Sequence, residues 1–154
     1  MAHNTDLFDD YAHLLELVGF AVRKEVEAAD FYRSMATKIE SPEVKDELGK
    51  LAAMEEGHRD RLERLNVAES ATTSIPGLGQ MKSADYETPG VPTAELGLRQ
   101  LLEIAIGREI AAWKLYSDLA NLVPESMMKQ LLLNLAAEES KHRQYLERLV
   151  RSQE

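Results

Sequence analysis

Cysteine is absent from the 154-residue chain. That gap excludes a disulfide framework, thiolate zinc sites, iron–sulfur clusters and four-thiolate iron sites, so any metal here must be held by nitrogen and oxygen. Long apolar runs are missing too. No stretch approaches the roughly 20 residues of a membrane-spanning helix, and no membrane partner is expected. Basic residues are outnumbered by acidic ones, 18 to 27, and no block of Lys or Arg gathers positive charge on one segment. A net charge of −9 disfavours contact with a phosphate backbone, so nucleic acid is not an expected partner. A glycine-rich nucleotide-binding fingerprint is also lacking. The opening residues, Met1-Ala2-His3-Asn4-Thr5-Asp6, have neither the basic start nor the apolar stretch of a secretory signal, which makes the cytoplasm the expected compartment.

What is present fits a soluble globular protein, with 44% apolar and 29% charged residues. The length suits one domain over 1–154 with a sizeable core. Apolar positions recur in steps of three and four, the spacing that lines one face of an α-helix. The first such stripe runs through Tyr11, Leu14, Val18, Ala21, Ala28, Tyr32 and Met35, within a helix expected over 5–39 and open to a break near Asp9-Asp10 or Gly19. Ser41-Pro42-Glu43 offers an N-cap, a proline at the first helical position and an acidic first turn, so a second helix is expected to about Leu65. From Asn66 to Pro92 the composition turns to Ser, Thr, Gly and Pro, the signature of a crossover connection. A third helix is expected from Thr93 to about Val123, and a fourth after Pro124 to about Val150.

The two halves repeat. Adding 84 carries Glu25 to Glu109, Ala28 to Ala112, Tyr32 to Tyr116, Glu55 to Glu139 and His58 to His142 without a gap. One helix pair used twice (5–65 and 93–150) and joined by a long crossover predicts an all-α four-helix bundle with approximate twofold symmetry.

Charged side chains interrupt the apolar stripes at six places. Leu48, Leu51, Glu55, His58, Leu62 and Leu65 share one helix face, and Leu132, Leu135, Glu139, His142, Leu146 and Leu149 share another. Glu25 and Glu109 do the same on the remaining two helices. A buried carboxylate costs several kcal/mol, roughly, unless it is paired or binds a metal. One way to neutralise four of them is an ion-pair network with Arg59 and Arg143. The other is a metal pair. Di-iron carboxylate bundles draw one Glu from each of two helices and a Glu-x-x-His from each of the others, and the chain contains that set. The three-residue spacing puts Glu and His about 4.5 Å apart along the helix axis, close enough to serve one bimetallic centre.

Through Glu25-x-x-Ala28-x-x-x-Tyr32, Glu55-x-x-His58, Glu109-x-x-Ala112-x-x-x-Tyr116 and Glu139-x-x-His142 the chain resembles the rubrerythrin branch of the ferritin-like superfamily. The resemblance implies a di-iron centre that reacts with hydrogen peroxide or dioxygen. Glu55 and Glu139 would bridge, Glu25 and Glu109 would be terminal, and His58 and His142 would give one nitrogen to each metal. Peroxidase-type relatives carry a cysteine-rich rubredoxin domain and a further carboxylate three residues after the third-helix ligand. Here the first is lacking and the second position is Ala112. A six-residue site follows, with an external protein as electron donor. Manganese or zinc would also suit such ligands.

The other candidates receive plainer readings. Tyr32 and Tyr116 are expected to hydrogen-bond a ligand or to be satisfied core tyrosines. Glu56 and Glu138 lie about 100° around the helix from the stripe and are expected to be solvated. His3 is expected in a tail, His13 on the surface, and Trp113 in packing or an oligomer contact. The leading function is reduction of hydrogen peroxide or dioxygen at a diferrous centre. Ferroxidation with iron storage, oxygenation of an organic substrate and a purely structural bundle are the alternatives. A homodimer or larger homo-oligomer is expected.

Overall fold

A computed structural model describes residues 4–90 and 95–153. Four helices make the bundle: α1 (Asn4–Ala36), α2 (Pro42–Glu63), α3 (Leu98–Leu122) and α4 (Met127–Ser152). No strand occurs among the described residues. The closest packing is within the hairpins α1–α2 and α3–α4, as the short connections at 37–41 and 123–126 require. None of these helices is long and apolar enough to cross a membrane.

The helix starts follow their caps. Ser41 Oγ accepts from Val44 N, with Pro42 at the first position of α2. Ser126 Oγ does the same for Lys129 N at the head of α4. The third helix begins at Leu98, later than Thr93, a residue that lies outside the described ones. Gly97 caps it, and the Gln100 side chain reaches back to Gly97 N at 3.1 Å. Nor does α1 break where a break was open. Gly19 faces outward, between the buried Val18 and Phe20. Asp10 keeps helical backbone while its carboxylate accepts from Ile75 N at 2.7 Å.

That bond helps dock the crossover. It contains three short 3-10 turns, Val67–Ser70, Leu78–Gln80 and Ser83–Tyr86, and buries Val67, Ile75, Leu78, Met81 and Tyr86 against the bundle. The first two turns pack on α1 and the third on α3. His13, expected on the surface, is half-buried because its ring Nε2 meets the Met81 carbonyl. Tyr86 donates to Asp118 at 2.7 Å. Gly77 takes the left-handed conformation, φ 88°, and a Cβ there would lie 3.3 Å from Leu122 Cδ2.

The core forms two apolar clusters, and every helix passes from one to the other at a charged position. Along α1 the change falls between Ala21 and Ala29, and along α2 between Ala52 and Leu62. Along α3 it falls between Ala105 and Leu115, and along α4 between Ala136 and Leu146. A polar layer therefore sits inside the bundle, closed off at both ends by apolar side chains.

Candidate metal centre

That layer consists of the six residues singled out by the stripes. Glu25 (α1), Glu55 and His58 (α2), Glu109 (α3), and Glu139 and His142 (α4) are all at most 3% exposed. Their ligand atoms gather into two groups of four, Glu25/Glu55/His58/Glu139 and Glu55/Glu109/Glu139/His142, each within 4.8 Å. Both groups use Glu55 and Glu139. His58 Nδ1 lies 3.4 Å from Glu25 Oε2, 3.4 Å from Glu55 Oε1 and 3.1 Å from Glu139 Oε1. His142 Nδ1 lies 3.2 Å from Glu55 Oε1, 3.6 Å from Glu109 Oε1 and 3.4 Å from Glu139 Oε1. The two rings are parallel, with centroids 5.9 Å apart.

These separations suit coordination. Two ligand atoms each about 2.1 Å from one ion, at angles of about 90–110°, are roughly 3.0–3.4 Å apart. Each of the six residues also keeps at least one buried atom without a hydrogen-bond partner: Glu25 Oε2, Glu55 Oε1, His58 Nδ1, Glu109 Oε2, Glu139 Oε1, and both ring nitrogens of His142. Unpartnered buried polar atoms are rare and demand an explanation. The arginines do not provide one, because Arg59 pairs with Asp60 and Arg143 with Glu147.

Without a cation the layer must take up protons. Burial, followed by the charges of the neighbouring glutamates, pushes Glu55 and Glu139 well above the usual carboxylate range. Burial opposes a charge on His142, yet Glu109, Glu139 and Glu55 outweigh it and push the ring up to about 12. Burial likewise opposes a charge on His58, which Glu25 raises above its ordinary value.

The tyrosines tie the halves together crosswise. Tyr32 on α1 donates to Glu109 Oε1 on α3, and Tyr116 on α3 donates to Glu25 Oε1 on α1, the latter at 2.5 Å. Burial first, then the glutamate charges, raise both hydroxyls well above their ordinary pKa, so both remain donors. Glu25 is thus held through Oε1 while its Oε2 faces His58, and the Glu109 oxygen that Tyr32 holds is also the one beside His142.

A small cavity abuts the layer between α1 and α3, with about 30 Å³ open to the centre of a water-sized sphere. Ala28, Ala112, Lys24, Arg108 and Thr88 are among its lining residues. A carboxylate at position 112 would project from this wall, and Ala112 leaves the space open.

A family model described as Rubrerythrin matches residues 16–150. The chain belongs to the rubrerythrin family. Among solved structures, a hypothetical protein from Pyrococcus furiosus is 25% identical with a TM-score of 0.67, covering 90% of this chain and 88% of its own. A Thermotoga maritima protein described as ferritin-like diiron-carboxylate is 20% identical with a TM-score of 0.69, covering 92% and 96%. KatB, a manganese catalase from Anabaena, is 21% identical with a TM-score of 0.64, covering 99% and 74%. No curated protein matches significantly. This rubrerythrin-family chain therefore has the ferritin-like bundle and, inside it, a carboxylate and histidine layer suited to two metal ions.

Two of the expected surface residues behave differently from each other. Glu56 is exposed enough to pair with Arg33 on α1 and stays outside the layer. Glu138 is more than a solvated residue: it contacts His58 Nε2 and accepts from Arg61 at 3.0 Å. A signal for it was the mismatch directly before the repeated glutamates, Met54 against Glu138. Trp113 is partly exposed, at 42%. His3 lies outside the described residues.

Proposed function

We propose that the protein holds two iron ions in this layer and reduces hydrogen peroxide with electrons from an external donor protein. The observation that carries the reading is the set of six buried residues with unpartnered atoms, which divide into two ligand groups sharing Glu55 and Glu139. Glu55 and Glu139 would bridge, Glu25 and Glu109 would be terminal, and His58 and His142 would each serve one ion. Four carboxylates balance two divalent cations, which removes the charge cost of the layer.

Bound ferrous ions would supply one electron each and Lewis acidity toward an O–O bond, which with two protons takes peroxide to two waters. The chain's own contribution is positional. Tyr32 and Tyr116 fix the terminal carboxylates by hydrogen bonds from the opposite half. The apolar clusters on either side exclude bulk water from the layer. The small cavity beside Ala28 and Ala112 offers a two-oxygen molecule a place next to the layer. A cytoplasmic setting and a homodimer or larger homo-oligomer belong to the same reading.

Metal analysis of protein from iron-replete cells, followed by stopped-flow mixing of the diferrous form with each oxidant, tests it. About two irons per chain and faster oxidation by hydrogen peroxide than by dioxygen are expected, with cumene hydroperoxide reacting poorly. Faster reaction with dioxygen, with mineral accumulating under excess Fe(II), would favour ferroxidation and storage instead.

A further inference from the structure

Behind the two histidines the twofold symmetry fails. His58 turns Nδ1 into the layer, and its Nε2 contacts the carboxylate of Glu138 on α4. Arg61 holds the same carboxylate oxygen at 3.0 Å. In the other half the residue matching Glu138 is Met54 (54 + 84 = 138), and the one matching Arg61 is Tyr145 (61 + 84 = 145). Neither offers a carboxylate. Nε2 of His142 is accordingly buried with no hydrogen-bond partner, although its Nδ1 is placed like that of His58.

We infer that Glu138 is a positioning residue that makes the two metal positions unequal, so that the Glu25/Glu55/His58/Glu139 position takes the first divalent cation and holds it more tightly. The inference rests on the two-metal reading above. A neutral imidazole carries one proton, and a carboxylate accepting from Nε2–H keeps it there. The Nδ1 lone pair is then left to the metal, the ring is fixed in orientation, and its basicity toward the ion rises. Arg61 keeps Glu138 in place through a charge-assisted bond. His142 lacks this support, so its ring must settle its own tautomer and orientation when a cation arrives. Losing such an outer partner typically costs about 10–100-fold in metal affinity.

Titrating the metal-free protein with Zn(II) tests this, with heats followed by calorimetry and the histidine ring nitrogens by NMR. The native chain should bind two ions in steps separated by about 10-fold or more, the His58 signals moving before those of His142. Glu138→Met, which copies the other half, should weaken the first step by about 10–100-fold and leave the second in place. Met54→Glu should strengthen the second step and close the gap from the opposite side. A general loss of fold would weaken both steps together and could not produce these opposed shifts. An unchanged gap in Glu138→Met, or His142 signals moving first in the native chain, would overturn the inference while leaving two bound metals. Failure of the native chain to bind two ions would sink the two-metal reading and this inference with it.

Discussion

Stripping the metal with a chelator should leave four buried carboxylates facing one another, and the fold should answer with a large loss of stability. A ligand that binds only the native state stabilises it by about 4 kcal/mol at a thousandfold excess over its dissociation constant. In a chain of this length each kcal/mol moves the melting temperature by roughly 2–4 °C. One ion at that excess is therefore worth about 8–16 °C, and a second adds to it. The pH dependence should also change sign. Glu55 and Glu139 have raised pKa values in the metal-free fold, as do His58 and His142. The native state then binds more protons than the unfolded chain above about pH 4.5, so metal-free stability falls as pH rises from 5 to 8. With metal present, protons compete with the ions, and stability should rise over the same interval. Thermal melts of chelated and reloaded protein at pH 5, 6.5 and 8 measure both effects. An unchanged melting temperature after verified metal removal would refute the buried metal layer, and metal-free stability that rises with pH would refute the protonated glutamates.

Glu55→Ala and Glu139→Ala should each cost metal at both positions, since both residues belong to both ligand groups, whereas Glu56→Ala, paired outward with Arg33, should leave two ions bound by elemental analysis. Tyr32→Phe and Tyr116→Phe each remove a buried bond to a carboxylate and should destabilise by about 1.5–3 kcal/mol in denaturant titrations. Losses near zero in both would mean that Glu25 and Glu109 need no support. Gly77→Ala forces a side chain into φ 88° against Leu122 and should cost about 1–2 kcal/mol with little change in bound metal.

The bundle and the six residues of the layer were readable because burial and charge conflict. An apolar stripe that admits Glu25, Glu55, His58, Glu109, Glu139 and His142 has no stable arrangement unless those groups meet something, and the repeat shows that they come in matched sets. Periodicity, however, reports only which face of its own helix a residue occupies. It could not show that Tyr32 reaches Glu109 and Tyr116 reaches Glu25, because that depends on α1 and α3 being neighbours. Glu138 was hidden for the same reason. It stands beside Glu139, off the stripe, and its partners His58 and Arg61 are on α2. Thr93 reads as a helix start by residue type, yet α3 starts after Gly97, whose N–H donates to the Gln100 side chain. The crossover was legible as irregular chain, while its docking on α1 and α3 depends on single buried side chains such as Ile75 and Leu78, which have no period.

Neither half of the chain can complete the layer alone. The first ligand group takes Glu25, Glu55 and His58 from one hairpin but needs Glu139 from the other, and the second takes Glu109, Glu139 and His142 but needs Glu55. The tyrosine bonds cross in the same sense, Tyr32 securing Glu109 and Tyr116 securing Glu25. Contacts between the hairpins are sparse compared with those inside them. Metal ions held jointly by Glu55 and Glu139 would therefore cross-link the bundle, coupling two hairpins that pack sparsely against each other. Where the halves have diverged, at Met54 and Glu138 and at Tyr145 and Arg61, the ligand set is untouched and only its backing differs. Duplication thus fixes which atoms face the layer, and substitutions one step behind them are free to make its two ends unlike.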